Sequence, residues 1–315
     1  MKKNKIIKAA AITLGVITVL GIAGSAVMGC VVADKILHQN ADEDTHDNSI
    51  KQLEVWGYDI NSFSYEGQEV SAMAEDGNEV PGTYFDSDSN KLVILVHGAG
   101  GDRYSIYPLA EQYIKDGYDV IAIDQRGCGT NPDDKVTFGI KESLDIKAMV
   151  RFARTELNAE KVIVHGQSMG AQTTAVYASN VTPGSLDAAD AVICDSPVPG
   201  MELMLNLMFG DGNTKSLLAN YLTGTSKIAM RITDGIDYDD ADTIEVVKND
   251  KIPTMIIVSD KDEVCLPQYV EKVYDNIACD KKEILHVNSA HIEGIFDDAN
   301  GYMDSVESFL NKAGI

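Results

Sequence analysis

Residues 161–170 read KVIVHGQSMG, an apolar run that breaks off in Gly166-Gln167-Ser168-Met169-Gly170 and leads into a helix-like stretch over 169–179. A chain passes from an extended run into a helix over so few residues only through a sharp turn, which presses backbone against backbone. Large side chains next to the serine would clash there, and glycines at 166 and 170 relieve the crowding. The segment reads as a strand, a strained turn carrying Ser168, and a helix whose N-terminus points back at the serine hydroxyl. Because a helix N-terminus favours developing negative charge, this is a way of presenting a nucleophile rather than a surface loop.

Apolar runs of strand length recur at 54–60, 69–74, 92–97, 119–124, 161–165, 191–194, 254–259 and 283–287. Helix-like stretches at 105–116, 141–157, 169–179, 267–277 and 302–312 lie between and after them. The strands are continuously apolar rather than alternating, which predicts a sheet covered by helices on both faces. The first two are close enough for a hairpin, so the sheet is expected to begin antiparallel. The fold class is α/β, with a mostly parallel eight-stranded sheet in one domain over 51–315. About 60 residues separate Cys194 from Thr254, more than one crossover helix needs. MELMLNLMF at 201–209 is apolar nearly all round, and 214–232 is helix-like. Residues 197–250 are therefore read as a small helical cap insertion, the alternative being a helix pair that only packs the core.

The first 33 residues differ in kind. Lys2, Lys3, Lys5 and Lys8 precede a charge-free stretch from Ala9 to Ala33. Its 25 residues would span roughly 37 Å as a helix, enough for a bilayer core of about 30 Å. Lysines before the span and Asp42, Glu43, Asp44 and Asp47 after it predict a cytoplasmic N-terminus and an exported remainder. An uncleaved signal anchor over 1–33 fits best, because the apolar run exceeds a signal-peptide core. The alternatives are a cleaved signal peptide and a lipoprotein signal ending in Val27-Met28-Gly29-Cys30. Residues 34–50 are polar and acidic and read as a linker with little structure. The net charge of −23, or −27 once those four lysines are removed, argues against nucleic acid as a partner. Cys128, Cys194, Cys265 and Cys279 are too few for a disulfide scaffold and are expected as free, mostly buried thiols.

A serine hydroxyl attacks poorly unless a base takes its proton. Of the six histidines, His38 and His46 fall in the acidic linker, while His97 and His165 read as packing or turn residues of strands. His286 sits inside the last predicted strand as a core histidine. His291 follows that strand in a loop, on the sheet edge where Ser168 emerges, and is the expected base. The base needs an acid to hold its tautomer. Asp260, Asp262 and Glu263 follow strand 254–259; Asp262 lies beyond the strand tip and is the expected acid, with Asp260 capping the turn. Oxyanion donors are expected from the N–H of Met169, directly after the nucleophile, and of Ala99 in the glycine-rich loop 97–101. No Gly-Lys-Ser/Thr follows that loop, so it is not a phosphate loop.

With HGAGG at 97–101, DQRGCG at 124–129, GQSMG at 166–170, SDKDEV at 259–264 and SAHIEG at 289–294, the chain resembles the α/β-hydrolase family. The resemblance covers essentially all of 51–315. It looks like the membrane-anchored bacterial serine hydrolases related to the serine aminopeptidase and cinnamoyl-esterase-like groups. This resemblance implies eight strands, neither metal nor organic cofactor, and a structural pair between Asp124 and Arg126. Ser259 departs from it, standing where relatives often have glycine. The expected function is an extracytoplasmic serine hydrolase that cleaves a carboxylic ester, or an amide, of a small-molecule or peptide acyl substrate. The alternatives are an acyltransferase with the same triad and a non-catalytic binding module on the same fold.

Overall fold

In the computed structural model, which describes the backbone of residues 2–315 and the side chains of residues 20–315, successive residues of strand β3 (Lys91–Val96) face two different cores. Leu92, Ile94 and Val96 join one apolar cluster, and Val93 and Leu95 join the other. Strand β5 (Lys161–Gln167) divides in the same way, Val162 and Val164 to one side and Ile163 to the other. Two buried faces explain why these strands are apolar at every position. Each fully buried Val, Ile or Leu contributes about 1.5–3 kcal/mol.

The other strands are β1 (Gln68–Met73), β2 (Glu79–Phe85), β4 (Asp119–Ile123), β6 (Ala191–Asp195), β7 (Thr254–Ser259) and β8 (Lys282–Val287). The eight strands form one sheet in the order β1-β2-β4-β3-β5-β6-β7-β8, antiparallel at β1/β2 and β2/β4 and parallel elsewhere. The helices are α1 (Lys2–Leu37), α2 (Thr45–Val55), α3 (Tyr107–Lys115), α4 (Glu142–Thr155), α5 (Met169–Ser179), α6 (Met201–Phe209), α7 (Leu217–Thr233), α8 (Thr243–Val246), α9 (Pro267–Asn276), α10 (Gly294–Asp297) and α11 (Ala299–Ala313). Helices α4 and α5 cover one face of the sheet, α3 and α11 the other. From β3 the chain builds outward first to β4 and then, on the other side, to β5, so the crevice beyond β3 and β5 is a topological switch point, where ligands bind in open α/β sheets.

The described chain divides into two compact units, Met1–Leu37 with Glu202–Asp237, and His38–Met201 with Tyr238–Ile315. The second holds the sheet. In the first, α1 packs against α7. Within α1, Leu20–Leu37 is long and apolar enough to cross a membrane, with a mean hydropathy of 1.6. The side chains of Lys2, Lys3, Lys5 and Lys8, on which the expected orientation rests, lie outside the described residues.

Three expectations about element boundaries are corrected. Residues 54–60 are not a strand. Helix α2 ends at Val55, and Gly57, at φ 75°, closes it in a Schellman turn in which the N–H groups of Gly57 and Tyr58 donate to the carbonyls of Glu54 and Leu53. The partner of β1 is instead β2, whose Pro81 and Gly82 interrupt the pattern that marks a strand. Residues 34–50 are not a linker with little structure. Helix α1 continues to Leu37, and α2 starts at Thr45, capped by the Asp44 carboxylate, which accepts the Asp47 N–H at 3.0 Å. Side chains tie this segment down: Asn40 Nδ2 donates to the Gly127 carbonyl at 3.0 Å, and Thr45 Oγ1 accepts the Gly129 N–H at 2.9 Å. The insertion is also narrower than 197–250. Thr243 Oγ1 donates to the Val198 carbonyl and Gln172 Nε2 to the Ala241 carbonyl, at 2.6 and 2.7 Å, so both ends of that span belong to the sheet unit.

Candidate active site

Ser168 stands between β5 and α5 at φ 56°, ψ −118°, a conformation non-glycine residues rarely adopt. Its flanking glycines are required by contact rather than by φ. A Cβ at 166 would lie 2.2 Å from the Gly170 carbonyl oxygen, and one at 170 would lie 2.1 Å from that of Val96. The strained turn is fixed from β6, since the Ser168 N–H donates to the Asp195 carbonyl at 2.9 Å.

The loops after β7 and β8 bring two further side chains to this point. His291 Nε2 is 2.8 Å from Ser168 Oγ, and His291 Nδ1 is 2.6 Å from Asp262 Oδ2. The other Asp262 oxygen accepts the N–H groups of Val264 and Cys265, both at 2.8 Å, so the carboxylate has little freedom to rotate. As Nδ1 faces a carboxylate, it carries the imidazole proton, which leaves the Nε2 lone pair aimed at the serine hydroxyl. Ser259, the departure from the family pattern, fits inward. Its hydroxyl is 3.0 Å from that of Ser196, and its carbonyl accepts the Asp262 N–H at 3.1 Å.

The glycine-rich loop after β3 is held by His97, which is fully buried. Its Nδ1 lies 2.7 Å from the Gly98 carbonyl, and its Nε2 accepts the Gln125 N–H at 3.1 Å. An acceptor at one nitrogen and a donor at the other determine the tautomer, with the proton on Nδ1; burial holds the ring below its ordinary pKa and so neutral. In a trans peptide the N–H points opposite to the C=O. With the Gly98 carbonyl turned toward His97, the Ala99 N–H points away from that ring. Met169 occupies the first position of α5, where the backbone N–H has no partner within the helix.

Behind the serine lies a buried polar chain. Asp195 Oδ2 accepts Gln167 Nε2 at 3.1 Å and the Tyr302 hydroxyl at 3.0 Å, and burial pushes its carboxyl up. Tyr302, donating to the carboxylate, must accept from His165 Nε2 at 3.1 Å, and His165 Nδ1 then accepts the Tyr113 hydroxyl at 2.9 Å. Burial takes the His165 pKa down to about 3, so this ring is a neutral packing residue. His286 is not in the core: β8 is an edge strand, and the ring is half-exposed, 2.8 Å from Asp260. Nor do Asp124 and Arg126 pair with each other. Asp124 accepts the N–H groups of Arg103 and Thr130, at 2.9 and 2.8 Å, while the Arg126 guanidinium binds Asp145, Asp76 and Asp133. Cys128, Cys194 and Cys265 are buried thiols and Cys279 is half-buried.

Beside Ser168 opens a cavity of about 360 Å³ lined by Gly98 to Gly101, Gln167, His291, Val264 and Ile292, and walled on one side by Asn48, Ser49, Gln52 and Trp56. No Asp, Glu, Lys or Arg is among its lining residues. The wall from α2 was missed in the sequence, although Asp44 as an N-cap and Gly57 as a terminator signal that helix. It is pinned on the glycine loop by Ser49 Oγ, which accepts the Asp102 N–H at 2.7 Å, and by Asn48 Nδ2, which donates to the Gly100 carbonyl at 3.3 Å. Trp56 Nε1 donates to Glu293, two residues beyond His291, at 3.1 Å.

This fold and this strand–serine–helix turn define a class: they are those of the α/β-hydrolase superfamily. The family described as alpha/beta hydrolase fold matches residues 91–222. A thermostable monoacylglycerol lipase from Bacillus sp. (strain H-257) is 29% identical over 245 residues, covering 70% of this chain and 91% of the lipase. The protein YfhR of Escherichia coli (strain K12) is 22% identical over 257 residues, covering 79% of this chain and 82% of the relative. Among solved structures, the esterase Pf2001 of Pyrococcus furiosus superposes with a TM-score of 0.64 at 22% identity, over 81% of this chain and 96% of the esterase.

Proposed function

We propose that the chain is a serine hydrolase that cleaves small, uncharged carboxylic esters on the outer side of the cytoplasmic membrane. The observation that carries this is the row of contacts Ser168 Oγ–His291–Asp262, at 2.8 and 2.6 Å. Ser168 Oγ attacks the acyl carbon while His291 Nε2 takes its proton, and Asp262 stabilises the imidazolium through Nδ1. The oxyanion accepts from the N–H groups of Met169 and Ala99, each donor worth about 2.7–4 kcal/mol in the transition state. The orientation of the Gly98–Ala99 peptide, held by His97, supports Ala99 in this role. As the tetrahedral intermediate collapses, His291 passes its proton to the leaving alkoxide. Water then attacks the acyl-enzyme, again losing its proton to His291, and the carboxylic acid departs.

Two features support the substrate class. The cavity is small and free of charged lining residues, which suits a neutral acyl or alcohol group, and the acidic surface disfavours anions. Similarity to an esterase and a monoacylglycerol lipase favours esters over amides. The outward location is supported by the lysines that precede the apolar helix and the acids that follow it. The test is hydrolysis of a series of p-nitrophenyl esters, acetate to decanoate, by the detergent-purified full chain and by Ser168→Ala. Loss of kcat by about 10⁴-fold or more in the variant is expected, with short acyl chains preferred. An unchanged rate would remove Ser168 from the chemistry.

A further inference from the structure

Helix α7 presents an apolar face that stays exposed among the described residues. At about 100° per residue, Leu217, Tyr221, Ile228 and Ile232 fall within about 60° of one another on the helix surface, and they are 87%, 44%, 62% and 78% exposed. Leu218 borders the stripe and is 64% exposed. Ala219, Thr223, Ser226 and Met230, on another sector, are buried. A third sector carries Lys227 and Arg231, which pair with Glu202 and Asp237. Burial thus accounts for one side of the helix only, and the exposed apolar side is too continuous for scattered surface residues.

The neighbour of α7 indicates what covers that side. At Gly29 of α1 a Cβ would lie 2.4 Å from the Thr225 carbonyl oxygen, and the Tyr221 hydroxyl donates to Ser25 Oγ at 2.7 Å. Backbones that approach through Ser25 and Gly29, one turn apart, pack as small residues pack helices within membranes. The face of α1 turned away from this contact is also apolar and exposed, at Leu20, Val27 and Val31.

We infer that α7, in the segment inserted between β6 and β7, is a membrane-associated helix that runs beside α1, with its Leu217–Tyr221–Ile228–Ile232 stripe in contact with the acyl chains of the bilayer. The inference rests on the reading of α1 as a membrane anchor. It is tested on the full chain reconstituted in vesicles of phosphatidylethanolamine and phosphatidylglycerol that contain a diazirine-bearing phosphatidylcholine. After irradiation, lipid adducts are located by mass spectrometry. Adducts on peptides spanning both 217–232 and α1 are expected. In Ile228→Asp/Ile232→Asp, adducts on 217–232 should fall sharply, while those on α1 and the hydrolysis of a soluble ester stay unchanged. Labelled α1 with bare 217–232 would overturn the inference and leave the anchor standing. Bare 217–232 with a cross-linked dimer would put a second copy against the stripe instead. If neither helix is labelled, the anchor reading fails and the inference fails with it.

Discussion

The replacement Asp262→Asn is a sharp probe of the site, because the structure dictates how the amide must sit. Asp262 Oδ1 accepts two backbone N–H groups at 2.8 Å, from Val264 and Cys265. The amide oxygen of asparagine must take that place. Turning the amide over would set its NH₂ against two buried donors, at about 1–3 kcal/mol for each donor left unmatched. The NH₂ therefore faces His291 Nδ1, where Oδ2 had been at 2.6 Å. A donor there forces the imidazole into the other tautomer, with its proton on Nε2 against Ser168. The ring then has no lone pair to receive the serine proton. Loss of the correct tautomer costs about 10⁴-fold in kcat in the serine-protease template, or about 5.5 kcal/mol of transition-state stabilisation. Folding should change by no more than about 1 kcal/mol, because both backbone donors keep an acceptor. The assay is kcat on a p-nitrophenyl ester, read beside the thermal midpoint of the same sample. A loss of less than about tenfold at unchanged thermal midpoint would refute the argument that Asp262 sets the His291 tautomer.

Other perturbations separate positioning from folding. His97→Phe removes the acceptor of the Gln125 N–H and the donor to Gly98, so kcat should fall by about tenfold or more with KM nearly unchanged, as expected of a loosened oxyanion loop. An equal rise in KM would argue instead for a role in substrate binding. Arg126→Met leaves the carboxylates of Asp145, Asp76 and Asp133 without their shared cation and should cost about 3–5 kcal/mol in chemical denaturation; a loss below about 1 kcal/mol would mean the cluster behaves like a surface pair. Burial raises the Asp250 carboxyl from 3.8 to about 6. A raised folded-state pKa means that stability is fully present below the unfolded value and is lost as pH climbs through about 6. Asp250→Asn should therefore gain on the natural chain by about 2.4 kcal/mol between pH 4 and pH 8, and parallel stability–pH curves would contradict this.

What was legible in the sequence was chiefly what backbone geometry enforces locally. Gly166 and Gly170 mark the turn at Ser168 because no side chain fits at either position, and the β3 and β5 runs betray two-sided burial. Loop position after a parallel strand was enough to single out His291 and Asp262, which the structure brings within hydrogen-bond reach of Ser168 or of each other. Partner choice among charged side chains was not legible. Asp124 and Arg126 stand two residues apart, yet Arg103 and Asp145, from distant segments, take them up. His286 was misplaced because an apolar strand pattern does not tell a central strand from an edge. Helix α2 was hidden by its acidic flank, since composition speaks of solvation while the caps Asp44 and Gly57 speak of structure. Strand β2 was obscured by Pro81 and Gly82, which the sheet accommodates through tertiary pairing.

The central claim is that Ser168 is an activated nucleophile, and fluorophosphonate labelling of the folded full chain tests it directly. Phosphonylation requires the serine to be deprotonated as it attacks and the new oxyanion to be held. The account predicts one adduct, located on Ser168 by mass spectrometry, absent from Ser168→Ala and strongly slowed in His291→Ala. A folded chain that takes up no label, or takes it up on another serine, would contradict the account.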